Sequence, residues 1–148
     1  MVQQAAVIFD MDGTLADCRH RLHYVNRSGK KDWEKFFAHS KDDTPNEEIV
    51  RLAVELAANN VILIASGRPE HLRKITEQWL DKYQVPYERI YLRKDHDRRP
   101  DGVVKGEMLE EMRAHGFSPW LSIDDRDSAV QSWRDLGLVC LQCDEGRY

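Results

Sequence analysis

Short apolar runs alternate with longer amphipathic stretches along most of the 148-residue chain. A run that is apolar at nearly every position is typical of a strand buried on both faces, because a half-exposed strand shows polar residues at alternate positions. The sequence therefore predicts five strands, at residues 5–9, 61–65, 89–92, 121–123 and 138–141.

The stretches between these strands have apolar residues at helical spacing. They predict helices at residues 45–59, 70–83, 105–115 and 127–136. Thr44 is the expected N-cap of the first helix and Pro45 its first residue, whereas Gly116 and Gly137 are expected to end the last two. Strands that alternate with helices indicate an α/β fold, in which helices cover both faces of a parallel sheet. We expect one Rossmann-like domain of three layers over residues 1–148.

Residues 17–44 interrupt this alternation. They contain a basic cluster followed by the short amphipathic piece Trp33-Glu34-Lys35-Phe36-Phe37. The segment is too small to form a domain of its own. We interpret it as a small cap-like insertion after the first strand.

The chain carries a formal net charge of -4, which argues against a nucleic-acid binder that relies on global positive charge. Basic residues are nevertheless concentrated in two segments: Arg19, Arg21, Arg27, Lys30 and Lys31, then Arg89, Arg93, Lys94, Arg98 and Arg99. They are compatible either with an anionic substrate held at one place or with an ordinary solvated surface. The apolar runs are too short to cross a membrane, and we see no secretory signal. With only three cysteines, a cytoplasmic location is expected.

Polar side chains follow three of the predicted strands. Because parallel strands end at the same edge of a sheet, these residues are expected to converge there: Asp10, Asp12, Thr14, Ser66, Arg68, Asp124 and Asp125. Clustered carboxylates repel one another unless a cation lies among them, and hard oxygen ligands suit Mg²⁺. Lys105, at the start of the next helix, adds positive charge. The combination is typical of phosphoryl-transfer chemistry.

The motif Asp10-Met-Asp12-Gly-Thr-Leu resembles the first motif of the haloacid dehalogenase superfamily of phosphohydrolases. Ser66, Lys105 and the Asp124-Asp125 pair match its second, third and fourth motifs in order. A closer resemblance is to the 3'-phosphatase domain of polynucleotide kinase–phosphatase enzymes. It is carried by Ser66-Gly67-Arg68, by residues 101–107, and by residues 123–126 with Trp133-Arg134. It is weaker through residues 17–44.

The resemblance implies a role for each matched residue. Asp10 would be the nucleophile that forms an aspartyl-phosphate, and Asp12 the acid and base. Ser66, Lys105, Arg68 and the Thr14 hydroxyl would contact the phosphate. Mg²⁺ would be held by Asp10, by the backbone carbonyl of Asp12, and by Asp124 or Asp125. Which member of that pair binds the metal directly is left open.

The function expected from these motifs is removal of 3'-phosphates from polynucleotide ends. The acidic net charge favours an alternative, a nucleotidase or small-metabolite phosphatase. A third possibility is a phosphoacceptor signalling module of the receiver type. Receivers lack an acid two residues after the phosphorylated aspartate, and their acyl-phosphate therefore persists. The expected partners are a phosphorylated substrate, either a nucleic-acid 3' end or a nucleotide, and no membrane.

Overall fold

The structure, a computed structural model, describes residues 2–148. Its strands are β1 (Gln4–Phe9), β2 (Ala16–Asp17), β3 (Thr44–Pro45), β4 (Val61–Pro69), β5 (Arg89–Arg93), β6 (Phe117–Arg126) and β7 (Val139–Gly146). Its α-helices are α1 (Trp33–Ala38), α2 (Glu47–Leu56), α3 (Arg73–Lys82), α4 (Asp101–Ala114) and α5 (Asp127–Asp135). Short 3₁₀ helices cover Arg19–Tyr24, Ser40–Asp42 and Glu70–Leu72.

Five strands form one parallel sheet in the order β5-β4-β1-β6-β7. One apolar cluster packs on one face of this sheet and includes Ala53 of α2 and Trp79 of α3. The second cluster includes Met108 of α4 and Trp133 of α5. The predicted three-layer α/β fold is therefore confirmed. Among residues 2–148, no helix combines the length and the apolar composition needed to span a membrane.

The start of α2 differs from the sequence prediction. The helix begins at Glu47, and its N-cap position is Asn46 rather than Thr44. Thr44 and Pro45 instead pair as β3 with β2, in a two-residue antiparallel ladder. The prediction of Thr44 as the cap was wrong because a tertiary pairing takes up these residues before the helix can begin.

Two other predicted boundaries also change. The helix α4 begins at Asp101, directly after Pro100, and so places Lys105 one turn inside the helix. The strand β6 continues beyond the apolar run to Arg126, because Asp124 and Arg126 still pair with β7. The acids at 124 and 125 are therefore fixed by strand backbone instead of lying in a loop.

The chain between β2 and β3 folds into a small unit of its own above the end of β1. Cys18, Val25 and Phe36 form its buried core. The guanidinium carbon of Arg21 lies 4.3 Å from the centre of the Phe36 ring. The packing brings a buried charged residue from this unit towards the sheet edge.

Candidate active site

Three aspartates meet where β1 and β6 end. Asp10 directly follows β1, and its backbone N–H donates to the carbonyl of Ile123 at 3.1 Å, which ties the two strand ends together. Asp10, Asp124 and Asp125 each place one carboxylate oxygen within 4.8 Å of the others. We call these three residues the acid cluster.

The acid cluster has an excess of negative charge. Burial raises the pKa of Asp10 well above its usual value, and repulsion by Asp124 and Asp125 raises it further. Burial also raises the pKa of Asp124, and burial together with Asp124 raises that of Asp125 to about 7. Lys105 is buried nearby, and its charge lowers the pKa of Asp10 and Asp124 in part. Carboxylates short of positive charge form a suitable donor set for a hard divalent cation such as Mg²⁺.

Asp12 is only two residues from Asp10, but its carboxylate faces two arginines. Arg68 donates to it from Nη2 at 2.6 Å and from Nε at 3.1 Å, and Nη2 of Arg21 donates to it as well. Burial acts to raise the pKa of Asp12, but the charges and hydrogen bonds of Arg68 and Arg21 outweigh it, so the pKa lies well below its usual value. Asp12 is therefore ionised in this state.

Asp43 completes this network of ion pairs. It accepts hydrogen bonds from Nε of Arg21 at 2.8 Å and from Nη2 at 2.5 Å, and it lies 3.6 Å from Arg68. Its backbone carbonyl accepts from Nε1 of Trp79 at 2.9 Å. Asp43, Arg21 and Arg68 are all fully buried, so the inserted unit and the sheet edge are joined by an ion-pair network away from water. We call Asp12, Asp43, Arg21 and Arg68 the arginine network.

The carboxylate of Asp125 is enclosed by the loop after β1. A Cβ atom on Gly13, which has φ +80°, would lie 2.0 Å from Oδ2 of Asp125, so only glycine fits this position. The Thr14 hydroxyl lies 3.5 Å from Oδ1 of the same carboxylate. The Tyr148 hydroxyl lies 3.0 Å from Oδ2 and 3.1 Å from the carbonyl oxygen of Asp12, so these two acceptors share its single proton.

The structure brings five of the predicted site residues to one groove: Asp10, Asp12, Ser66, Lys105 and Asp124. Two others have different surroundings from those we expected. Arg68 was expected to clamp a phosphate, but it is fully buried and donates to Asp12 and to the Thr76 hydroxyl. Thr14 was also expected at the phosphate, but its buried hydroxyl faces Asp125. Both side chains support carboxylates and do not line the groove.

The sequence analysis did not predict that Arg21, Asp43 and Tyr148 belong to the site. Arg21 was counted with the basic cluster as a possible anion contact, and nothing in its local sequence distinguishes it from its exposed neighbour Arg19. The partners of Tyr148 lie 136 and 23 residues away along the chain. Contacts of this kind depend on the path of the whole chain, and no local pattern indicates them.

A groove of about 1220 Å³ opens from the acid cluster. The inserted unit contributes Arg27, Lys30, Lys31 and Trp33 to the lining of the groove, and the end of β5 with the segment that follows it contributes Arg93, Lys94, Arg98 and Arg99. Acids neutralise part of this charge, because Arg93 pairs with Asp101 and Arg99 with Asp97 and Glu107. Most of the two basic segments therefore lies around one opening.

A parallel α/β sheet with this set of acids, a lysine and a serine at its carboxyl edge defines a phosphatase of the haloacid dehalogenase type. Residues 4–148 match the family described as the polynucleotide kinase PNKP phosphatase domain, and the chain belongs to that family.

Solved structures agree with this assignment. The chain is similar to one described as the structure of a Pnkp1/Rnl/Hen1 complex, with a TM-score of 0.81 and 29% identity over 99% of this chain. It is also similar to a Pnkp1/Rnl/Hen1 RNA repair complex, with a TM-score of 0.79, 27% identity and 99% of this chain covered. The chain spans 48% and 44% of the length of those two chains. A haloacid dehalogenase-like hydrolase from Streptococcus pneumoniae shares the fold, with a TM-score of 0.68, 14% identity, and coverage of 95% of this chain and 84% of that one.

Proposed function

We propose that this phosphatase depends on Mg²⁺ and removes 3'-phosphates from polynucleotide ends through an aspartyl-phosphate on Asp10. The observation that carries the proposal is the position of the acid cluster beside Lys105, at the inner end of a basic groove. Mg²⁺ bound by Asp10, Asp124 or Asp125 and the Asp12 carbonyl would neutralise the acids and the oxygens of an incoming phosphate.

Asp10 is better placed than Asp12 to be the nucleophile. Both residues line the groove, but the Asp12 carboxylate already accepts hydrogen bonds from Arg21 and Arg68, whereas the nearby positive charge that acts on Asp10 is that of Lys105. One oxygen of Asp10 attacks phosphorus and the ester P–O bond breaks, which leaves an acyl-phosphate on Asp10 and an alcohol. Water then attacks this phosphorus, and inorganic phosphate leaves with its oxygen–phosphorus bond to Asp10 broken.

We assign the proton transfers of both steps to Asp12, which lines the groove with Asp10. It would give a proton to the leaving oxygen and later accept one from the attacking water. The arginine network keeps Asp12 ionised before substrate arrives. A dianionic phosphate bound next to it adds negative charge, which raises the pKa of Asp12, so that Asp12 takes up a proton from solvent as the substrate binds and can then donate it to the leaving oxygen.

Ser66 and Lys105 are proposed to hold the transferring phosphoryl group. Both are buried and both line the groove beside Asp10. The Ser66 oxygen accepts a hydrogen bond from the backbone N–H of Arg68 at 3.1 Å, which leaves its hydroxyl proton able to point at a phosphoryl oxygen. Lys105 supplies a positive charge at the same place.

Several observations favour a polynucleotide end over a small substrate. The groove has a volume of about 1220 Å³, and the lysines and arginines that line it suit a phosphodiester backbone. Trp33 lines the groove, and its half-buried ring could stack on a base. One of the similar structures is an RNA repair complex, which supports a nucleic-acid substrate here.

The test is Mg²⁺-dependent phosphate release from a 3'-phosphorylated oligonucleotide, measured beside release from 3'- and 5'-mononucleotides. Asp10→Asn is the variant expected to be inactive, and Asp135→Asn, an exposed change on α5, is the matched control. We expect the oligonucleotide to have the highest kcat/KM. Preference for mononucleotides would identify a nucleotidase, and a long-lived phospho-Asp10 would identify a phosphoacceptor module instead.

A further inference from the structure

Tyr148 approaches the acid cluster from a part of the chain that none of the four motifs includes. Its hydroxyl lies 3.1 Å from the backbone carbonyl oxygen of Asp12 and 3.0 Å from Oδ2 of Asp125. Both of these oxygens belong to the donor set proposed above for Mg²⁺. The hydroxyl therefore contacts two proposed ligand atoms at once.

The ring of Tyr148 is held in place independently of its hydroxyl. Its centre lies 6.1 Å from that of Phe36 in the inserted unit and 5.6 Å from the guanidinium carbon of Arg126. Nε of Arg126 also donates to the backbone carbonyl of Tyr148 at 2.6 Å. A phenylalanine would keep the ring contacts, so ring packing alone does not account for a hydroxyl at this position.

We propose that Tyr148 is a positioning residue for the cation, and that its hydroxyl orients the Asp12 carbonyl and the Asp125 carboxylate towards the metal. The inference rests on the Mg²⁺ site of the proposed function. Groups that donate hydrogen bonds to metal ligands from outside fix the orientation of those ligands, and losing such a group weakens metal binding about 10- to 100-fold.

The surroundings of Asp125 favour a Tyr148 hydroxyl that orients the metal ligands over one that competes with the cation for them. The Thr14 hydroxyl contacts one oxygen of the Asp125 carboxylate, and the Tyr148 hydroxyl contacts the other. Each oxygen keeps a further lone pair for Asp125 to offer to a cation shared with Asp10 and Asp124. A hydroxyl that occupied the place of the cation would have the opposite effect, because its removal would tighten metal binding.

The experiment is isothermal titration calorimetry of Mg²⁺ alone into metal-free wild-type protein, Tyr148→Phe and Tyr87→Phe. Tyr87 is a matched control because its hydroxyl also donates to a carboxylate, that of Asp81 on α3. This hydrogen bond is exposed and lies outside the groove. We expect Tyr148→Phe to bind Mg²⁺ about tenfold more weakly and Tyr87→Phe to bind like wild type.

Three results would overturn the inference. Unchanged Mg²⁺ affinity in Tyr148→Phe removes the positioning role, and tighter binding shows that the hydroxyl competes with the cation. Absence of Mg²⁺ binding by wild type contradicts both this inference and the metal in the proposed function. Tyr148→Leu, which also loses the ring contacts, is a second variant; it should bind Mg²⁺ as weakly as Tyr148→Phe if the hydroxyl carries the effect.

Discussion

Two groups of carboxylates, all buried except the half-buried Asp10, lie at the same edge of the sheet, and their surroundings shift the pKa values of Asp10 and Asp12 in opposite directions. In the arginine network, Asp12 and Asp43 are neutralised by Arg21 and Arg68, and the pKa of Asp12 is low. In the acid cluster, the pKa of every member is raised, with Lys105 as the partial counter-charge. The comparison shows that the protein neutralises one group with its own arginines, whereas in the other the charge of Lys105 offsets the carboxylates only in part; the proposed Mg²⁺ would supply the rest.

The first prediction separates the proposed nucleophile of the acid cluster, Asp10, from the proposed proton carrier of the arginine network, Asp12. Asp10→Asn should remove activity on every phosphate ester, because it removes the attacking atom. Asp12→Asn should reduce the rate about 10²- to 10⁴-fold on an alkyl ester such as a nucleotide. Asp12→Asn should lose less of the rate of phosphoenzyme formation when the substrate is p-nitrophenyl phosphate, because nitrophenolate leaves without a proton.

The measurement is a pre-steady-state burst of nitrophenolate, compared between wild type and the two variants. Equal losses on both esters would contradict the role of Asp12 as a proton donor. A burst in Asp10→Asn would contradict the role of Asp10.

The second prediction breaks the arginine network. Arg21→Met leaves Arg68 as the arginine shared by Asp12 and Asp43, while Asp43 keeps its contact with Nε2 of His20 at 2.6 Å. Removing one partner of a buried ion pair lowers the free energy of unfolding by about 3–5 kcal/mol. Urea denaturation measures this change. Arg19→Met is the matched control, because the side chain of Arg19 is 81% exposed and its pairing with Asp17 is screened by solvent, so we expect little change in stability.

A double-mutant cycle sharpens this test. Adding Asp43→Asn to Arg21→Met should cost less than the two single changes combined, because each removes the other's partner. Strict additivity would show that the two residues are not coupled in the folded state.

The sequence predicted the acid cluster well but not the arginine network, and the reason is physical. Asp10, Asp124 and Asp125 follow apolar strands, and parallel strand ends must meet, so their neighbourhood follows from topology. Arg21 and Asp43 reach the site through an insertion whose packing depends on its own small core. Arg68 was predicted at the right edge of the sheet, but its hydrogen-bond partner is decided by the position of Asp12 in three dimensions.

The same distinction applies to the elements of the fold. Strands with continuous apolar runs were predicted, since burial on both faces is a local signal. The pairing of β2 with β3 was not, because two residues on each side carry no periodicity. The N-cap was placed at Thr44 for this reason, two residues before its actual position at Asn46.

The third prediction concerns the groove. Trp33→Ala should raise KM for a 3'-phosphorylated oligonucleotide by an amount equivalent to about 1–3 kcal/mol, because a base loses its stacking partner. The kcat for p-nitrophenyl phosphate should stay near the wild-type value, since the acid cluster is intact. Trp120→Ala, an exposed tryptophan outside the groove, is the control. Parallel losses on both substrates would point to a structural role for Trp33 in the inserted unit.

The fourth prediction tests the excess charge of the acid cluster directly. The pKa of Asp125 is raised in the folded protein, so its contribution to stability is full below its unfolded pKa near 4 and is lost as pH rises through about 7. In metal-free protein at pH 8, Asp125→Asn should therefore melt a few degrees higher than wild type, equivalent to roughly 1–2 kcal/mol. At pH 5 the difference should largely disappear.

Addition of Mg²⁺ should reverse the order at pH 8, because wild type gains a cation among its acids and the variant gains less. A lower melting temperature for metal-free Asp125→Asn at pH 8 would show that the acid cluster is already balanced by the protein.

The central claim is that Asp10 carries the phosphoryl group during turnover. Wild-type protein is mixed with Mg²⁺ and a 3'-phosphorylated oligonucleotide, quenched rapidly in acid, and digested for mass spectrometry of the peptide that contains Asp10. We expect phosphate on Asp10 that forms and decays within a turnover and is absent from Asp10→Asn. Phosphate release without any phosphorylated Asp10 at early times, or phosphorylation at another residue, would contradict it.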